Sequence, residues 1–396
     1  MDLSDLGRIL YAPQKAIKRI AEKPTYVSVL IIAILFIAAN VAQSFALFSK
    51  LNVEQTFLPN GADADQWTAN STLWMSNGIA TESNDSLNNS YADFTYYGNA
   101  SLQFAINNSV QLWMELRNIG PLNCTGPDGF SKFSLRTKQI EPQAGPSNVT
   151  VYLFSSQSDY FYLAVPVANV SKLNTWSILT LPLDSFDTTV SWNKSGTNAT
   201  WGIITGMKIE FDWATPQNVT LRFDGVFFHG PFKSLRETIG TPALAGTDVI
   251  SYSIVFVLVW GVLAVMLYIL ARGFGGKPVW KQLAVVASFI LIPMVLQTAL
   301  VAVAYAALPT LRYPFELIAG VGNEGATAKN LINNQTLLVD LFQTYSELAV
   351  YFWSSALCAS GFHVLFEFKW GKSIAAGVLV YLIARVILSF LGLPLF

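Results

Sequence analysis

Charge is scarce in this chain. Only 12% of its 396 residues are Asp, Glu, Lys or Arg, while 52% are hydrophobic. Soluble domains carry roughly 25% charged residues, so the composition excludes an ordinary soluble protein and points to a membrane one. The net charge of −1 says nothing about an acidic or basic partner, and no nucleic-acid partner is expected. Cysteine is almost lacking. Cys124 and Cys358 are the only two, so no disulfide framework exists and the fold must rest on its core. Histidine is equally rare, with His229 and His363 alone. No Cys/His metal spacing and no Gly-rich phosphate loop accompany them. No catalytic residue and no enzyme activity are therefore read from the sequence. Paired carboxylates of glycoside hydrolysis depend on a tertiary distance; Asp159, Glu210 and Asp212 stand in or beside strand-like stretches.

What is abundant is apolar sequence in long runs. Tyr26–Leu47, Val249–Ala271, Leu283–Leu308, Leu348–Phe366 and Ile374–Leu393 each approach the ~20 residues that cross a bilayer as a helix. The fourth is interrupted by Ser354, Ser355, Ser360 and His363. The first is too long for a signal-peptide core and reads as an uncleaved signal-anchor. Pro293, near the middle of the third, predicts a kink. Arg385 of the fifth should face a protein interior, with Gln297, Asn40 or Gln43 as intramembrane polar partners, or else snorkel outward. His363 and Glu367, at i, i+4, flank the inner end of the fourth. Before the first run, Leu6, Leu10, Pro13, Ile17 and Ile20 form an apolar stripe with Lys15, Lys18 and Arg19 off it. That stripe suits an amphipathic helix on the inner leaflet, or a lead-in helix packed on the spans.

Two signals assign sides. Twelve Asn-x-Ser/Thr sequons begin at Asn70, Asn84, Asn88, Asn99, Asn107, Asn123, Asn148, Asn169, Asn193, Asn198, Asn218 and Asn334. Eleven of the eighteen Asn in residues 49–247 start one, where chance at a Ser/Thr frequency near ~20% gives about four. N-glycans are added on the non-cytosolic face. Independently, Arg8, Lys15, Lys18, Arg19 and Lys23 precede the first span, Arg272, Lys277 and Lys281 join spans two and three, and Lys369 and Lys372 join four and five. The positive-inside rule makes these three segments cytosolic. Residues 49–247, the 309–345 loop and the C-terminus are then outside, on a multi-pass plasma-membrane protein.

The outer segment reads as strands. Val149–Phe154, Tyr160–Val167, Trp176–Leu183, Met207–Trp213 and Val219–His229 are β-branched and aromatic, with Asn-, Ser-, Gly- and Pro-rich turns between. Many short strands without disulfides predict a β-sandwich. Asp224-Gly225 interrupts the alternation of Val219, Leu221, Phe223, Val226 and Phe228, which predicts a bulge in a central strand. Seven tryptophans are many for one domain, and most belong in its core. Trp192 and Trp201, in an Asn/Gly-rich turn region, are the candidates for exposed, ligand-stacking aromatics. Dense glycans on the same domain would crowd such a face.

Two resemblances follow from particular residues. Gly275-Gly276-Lys277-Pro278-Val279-Trp280-Lys281-Gln282 running into a span with Pro293, the opening with Pro13, Ala16, Ile17, Ile20 and Glu22-Lys23-Pro24, and Gly361-Phe362-His363 with Gly371-Lys372-Ser373 resemble the Yip family of five-span membrane proteins. The likeness covers residues 1–48 and 249–396. It implies a helical bundle without catalytic residues; eukaryotic relatives are linked to vesicle traffic and small GTPases. Trp176-Ser-Ile-Leu-Thr-Leu-Pro-Leu, Ile203–Trp213 and Val219-Thr-Leu-Arg-Phe-Asp224-Gly-Val-Phe-Phe resemble the end of a carbohydrate-binding-type jelly roll. In that family the acid matching Asp224 can hold a structural calcium.

The expected architecture is thus a multi-domain membrane protein. It comprises a cytosolic amphipathic segment (1–25), transmembrane helix 1 (26–48), an extracellular all-β jelly-roll sandwich (49–247) inserted between helices 1 and 2, and helices 2–5 of a Yip-like bundle (248–396). The expected role is a non-enzymatic surface glycoprotein meeting glycans, surface-layer protein or a membrane partner. An accessory subunit of a larger complex, or a transporter using Arg385, are the alternatives. Sequon density, low charge and absent disulfides suggest an archaeal cell surface.

Overall fold

The computed structural model of the protein describes residues 4–57, 66–87, 98–170, 172–183, 191–315 and 322–390. They form two compact units: Met1–Asn52, Ser234–Leu311 and Ile332–Phe396 make one, Val53–Lys233 and Arg312–Leu331 the other.

The first unit holds five helices long and apolar enough to cross a membrane: Tyr26–Lys50, Thr241–Gly273, Trp280–Ala307, Lys329–Phe366 and Trp370–Phe390. Each expected run is present. The third is broken at Leu291 into Trp280–Ile290 and Ile292–Ala307. Pro293 falls in the first turn of the second half, where its missing N–H costs no helical bond. The fourth belongs to one helix, Gly322–Phe366, of 45 residues. At ~1.5 Å per residue it is about twice the length that a ~30 Å hydrocarbon layer requires. The expected 309–345 loop is therefore largely helical. Its polar run through Asn330, Asn333 and Asn334 carries no apolar periodicity to announce a helix.

The N-terminal stripe is spent on protein. Ala16, Ile17, Ile20 and Ala21 of Pro13–Glu22 are buried, and Ile9, Ile17 and Ile20 share a core cluster with Leu283, Val286 and Ile290. Gln282 Nε2 donates to the Ala21 carbonyl at 3.2 Å. The segment is a lead-in helix packed on the bundle. Spans four and five approach closely at a glycine: a Cβ on Gly377 would lie 2.5 Å from Ala359 N, the small-residue contact by which membrane helices pack. Arg385 takes the second of its two expected courses. It is exposed, and its guanidinium lies 4.3 Å from the Tyr351 ring. Five residues from the end of its helix at Phe390, it is about 8 Å from that end, within reach for snorkelling. His363 and Glu367 make no pair either. His363 Nδ1 lies 2.7 Å from the Phe368 carbonyl and its ring stacks on Trp370, while Glu367 occupies a left-handed turn.

The second unit is a sheet of eleven strands: β1 (Leu51–Phe57), β2 (Trp74–Ser76), β3 (Ile79–Ser83), β4 (Ser101–Leu122), β5 (Lys132–Glu141), β6 (Asn148–Phe154), β7 (Tyr160–Val165), β8 (Ser177–Pro182), β9 (Asn193–Ser195), β10 (Ile204–Ser234) and β11 (Leu311–Tyr313). One path runs β11-β1-β10-β6-β7-β9; β4 also pairs with β10, β2 and β3, and β5 with β10 and β8. The two stretches expected at 207–213 and 219–229 are one strand, β10. It changes register between Asp212 and Gln217 and again between Asp224 and Phe227. Its first half pairs with β4 and β6, its second with β4 and β5. The main apolar core results, with Leu112, Met114, Val151, Ile209, Phe211, Leu221 and Phe228 among its buried members, and Leu87, Trp176, Phe227 and Phe315 form a smaller second cluster. Val219, Leu221, Phe223, Val226 and Phe228 are all buried, as the alternation predicts. Gly225 has φ 60 at the second register shift, a conformation that favours glycine.

Candidate functional site

One face of the β domain is built by strict register. In β4, Leu112, Met114 and Leu116 turn inward, so Trp113, Glu115 and Arg117 turn outward, since neighbours alternate. Glu210 lies opposite Trp113, Lys208 opposite Glu115, and Asp212 opposite Gln111. Across the other edge of β10, Lys208 faces Tyr152 and Asp212 faces Asn148. Tyr152 then pairs with Tyr162, and Phe154 with Tyr160. Directly opposed residues share a face, so these side chains form one surface across four strands.

Its rings touch. Tyr152 stacks on Tyr162 with centroids 6.1 Å apart, and meets Tyr160 at 5.7 Å. Lys208 Nζ lies 5.1 Å from the Tyr152 ring and 5.4 Å from the Trp113 ring, bridging them. The same ammonium bonds Glu210 at 2.5 Å. Arg117 lies 4.1 Å over Phe154 and bonds Glu115. Gln111 Nε2 and Asn148 Nδ2 donate to the two oxygens of Asp212, at 3.1 and 3.3 Å. Burial, then the charges and rings of Glu210, Tyr160 and Asp212, push the Tyr152 phenol up to about 12. It is protonated at neutral pH, both donor and acceptor. Half-exposed aromatics fixed among satisfied polar groups make a platform for a flat ligand with an apolar face and hydroxyl edges.

The sequence pointed to other aromatics. Trp201 is buried and stacks on Phe161 at 4.0 Å. Trp192 is half-buried, packs edge-on against Trp201, and donates Nε1–H to the Pro182 carbonyl at 2.8 Å. Trp201 is thus closed to a ligand, while Trp192 keeps part of its surface open. The turn composition suggests exposure; at Trp201 the stack on Phe161 overrides it.

Asp224 is fully buried. Leu87 N–H donates to Oδ2 at 2.5 Å, and Gly225 N–H and the Thr68 hydroxyl donate to Oδ1 at 2.9 and 3.4 Å. These donors stabilise the carboxylate form by hydrogen bonding. Among the described residues no group of three His, Cys, Asp or Glu is placed to hold a metal.

A constellation the sequence did not disclose lies nearby. Ser134 Oγ is 2.6 Å from His229 Nε2, and His229 Nδ1 is 3.3 Å from Glu54 Oε2. This is the order of groups in a serine hydrolase. Ser134 is 1% and His229 2% exposed, however, and Ser134 sits mid-strand between paired neighbours on β10 and β8. The ring of Phe315 covers His229 at 5.7 Å, and Phe315 N–H donates to Glu54 Oε2 at 2.8 Å. Buried among the described residues, the relay fastens Phe315, just after β11, to the sheet. Burial raises the Glu54 pKa, but the His229 hydrogen bond and charge and the Phe315 N–H outweigh it, and the net shift is downward.

In the membrane unit, Asn40, Gln43 and Gln297 converge on one cavity, which Arg385 does not line. Among sequon asparagines, Asn84, Asn99, Asn107, Asn123, Asn148, Asn193, Asn198, Asn218 and Asn334 are exposed and Asn70 is half-buried. Asn88 and the side chain of Asn169 lie outside the described residues.

Five apolar helices and a large β domain define a multi-pass membrane protein with a β-sheet domain. Residues 202–393 match the Yip1 domain; the match takes in β10 and spans two to five and does not reach residues 1–48. No curated protein sequence matches the chain. Among solved structures, the family 11 carbohydrate-binding module from Clostridium thermocellum, in complex with a β-1,3-1,4-mixed-linked tetrasaccharide, is similar at 9% identity and TM-score 0.27, over 41% of this chain and 91% of that one. TmCBM61, in complex with β-1,4-galactotriose, is similar at 11% identity and TM-score 0.27, over 45% and 99%. An exo-β-agarase is similar at 9% identity and TM-score 0.29, over 40% of this chain but only 24% of its own. The match thus spans about a quarter of that enzyme.

Proposed function

We propose that the protein is a non-enzymatic plasma-membrane glycoprotein whose β domain binds carbohydrate on the outward face of β4, β10, β6 and β7. The row of Trp113, Tyr152, Tyr160 and Tyr162, spaced by strand register and edged by Glu115, Lys208, Glu210 and Asp212, carries this reading. Pyranose rings stack on aromatic faces while their hydroxyls bond to fixed carboxylates and amides, and the platform supplies both. The partners are surface glycans or glycosylated surface-layer protein. The N-terminus is cytosolic, and residues 49–247 and the C-terminus are outside. The exposed sequon asparagines and the basic connections support that orientation.

The test uses the whole protein in mild detergent on immobilised polysaccharides, β-glucans and galactans included. Tyr152→Ala with Tyr162→Ala should weaken retention about ten-fold or more, since buried aromatic anchors carry ≥ ~1.4 kcal/mol of binding. Unchanged retention in a folded variant would overturn the proposal.

A further inference from the structure

Four spans of the membrane unit line a half-open cavity of about 350 Å3. Asn40 and Gln43 reach it from the first span, Gln297 and Thr298 from the third, and Gln343 and Glu347 from the fourth. Asn40 and Gln43 stand seven to ten residues before Lys50, which places them about 10–15 Å of helix from that end of the span. Amides and a carboxylate at such depth are costly unless something bonds them.

The protein bonds them only in part. Asn40 Nδ2 donates to the Phe36 carbonyl at 2.9 Å, Gln297 Nε2 to Ser346 Oγ at 3.2 Å, and Gln343 Nε2 to Glu347 Oε1 at 3.1 Å. Each of these bonds consumes a donor. Each amide keeps at least one further N–H, but the unused acceptors outnumber the donors: Gln297 is only 6% exposed, and its amide oxygen is buried without a partner. Among the described residues, Glu347 is the one charged group on the lining, and no Lys, Arg or His joins it. Tyr252 and Phe48 add two aromatic rings to the wall, and the Tyr252 hydroxyl, 2.7 Å from Ser44 Oγ, ties the second span to the first.

An excess of acceptors, one negative charge and aromatic faces define a receptor for a donor-rich cation. A bare metal ion does not suit it: calcium requires about six to eight oxygens, several of them carboxylates as a rule, and the volume lies in the ~300–1,000 Å3 range of organic ligands. Apolar Leu47 and Val301 line the same space and suit a carbon-bearing ligand. We infer that this cavity binds an organic ammonium group, its N–H donors on Glu347 and the amide oxygens, its methylenes against Phe48 and Tyr252. An ethanolamine lipid headgroup and a free amine share this chemistry. The assignment does not depend on carbohydrate binding by the β domain.

The whole protein in mild detergent is followed by thermal unfolding against four probes: dihexanoyl phosphatidylethanolamine, ethanolamine, spermidine, and dihexanoyl phosphatidylglycerol as the headgroup without nitrogen. An ammonium-bearing probe should raise the midpoint, and phosphatidylglycerol should not. Glu347→Gln should weaken the effect about ten-fold or more, as expected on losing a charge-assisted hydrogen bond. Stabilisation by phosphatidylethanolamine alone assigns a lipid headgroup; stabilisation by ethanolamine or spermidine as well assigns a free amine. If Glu347→Gln does not fold, Gln43→Leu and Tyr252→Leu carry the comparison. No shift with any ammonium probe, an equal shift with phosphatidylglycerol, or wild-type affinity in the folded variants overturns the inference.

Discussion

Asp224 has no exposed surface, and two backbone N–H groups, those of Leu87 and Gly225, end on its carboxylate. Truncating it to Ala leaves both buried donors unmatched, at about 1–3 kcal/mol for each such group. The midpoint of thermal unfolding should fall by several degrees in Asp224→Ala. Because hydrogen-bond donors meet both of its oxygens, a chelator should leave the wild-type midpoint unmoved. A midpoint that drops with chelator would restore calcium to the site; one that ignores the substitution would mean the carboxylate anchors nothing. Asp85 illustrates a cheaper case. Burial raises its pKa, but Lys138 and Arg222, both bonded to Oδ2, bring the net shift below the usual carboxylate range. It remains partly exposed, so screening leaves it little weight in stability.

At the scale of elements, β11 and the nearby Phe315 close the sheet. Phe315 is fully buried, 4.4 Å from Phe227, and its N–H ends on Glu54 of β1. The folded pKa of Glu54 lies below its ordinary value of 4.5. A depressed carboxylate contributes stability that is complete above the unfolded pKa and lost as pH falls through the folded one. The protection of the Phe315 amide against hydrogen exchange, taken relative to the intrinsic rate at each pH, should therefore be high at neutral pH and fall as the pH drops below the ordinary Glu54 value of 4.5. In Glu54→Gln the amide should exchange faster at neutral pH and lose that acid step. An acid step of the same size in the variant would assign it to another group. How legible these elements were differed for physical reasons. The alternation of Val149–Phe154 and the apolar runs of the spans are local signals, and both elements form as read. Ala214-Thr215-Pro216-Gln217-Asn218 would break a strand by composition, with Pro216 as the breaker; a shift of register, not a turn, absorbs it within β10. β11 spans three residues whose partner lies more than 250 positions earlier, and no window of sequence contains both. The site divides likewise. Asn40, Gln43 and Gln297 stood out as amides in apolar runs, whereas Gln343 and Glu347 were hidden at the edge of a stretch read as loop. Trp113 and the three tyrosines look like ordinary strand residues until register aligns them.

On the scale of the whole molecule, two sets of residues that share no member support the proposed sidedness: asparagines exposed on the β domain and basic residues in the connections. External protease on intact cells should cut within residues 49–247 and spare the 272–281 connection, and mass spectrometry should find sugar on Asn84, Asn193 and Asn198. Cleavage of the short connection from outside would reverse the orientation. The provenance of β11 has a consequence for biosynthesis. A ribosome delivers β1 to β10 first, then the second and third spans, and only then Leu311–Phe315. Until that moment Phe227, His229 and Glu54 have no Phe315 to cover them. The β domain of a nascent chain must wait, incomplete, through two further insertions, and a message truncated after the second span would yield a domain with an open seam for chaperones and proteases to find.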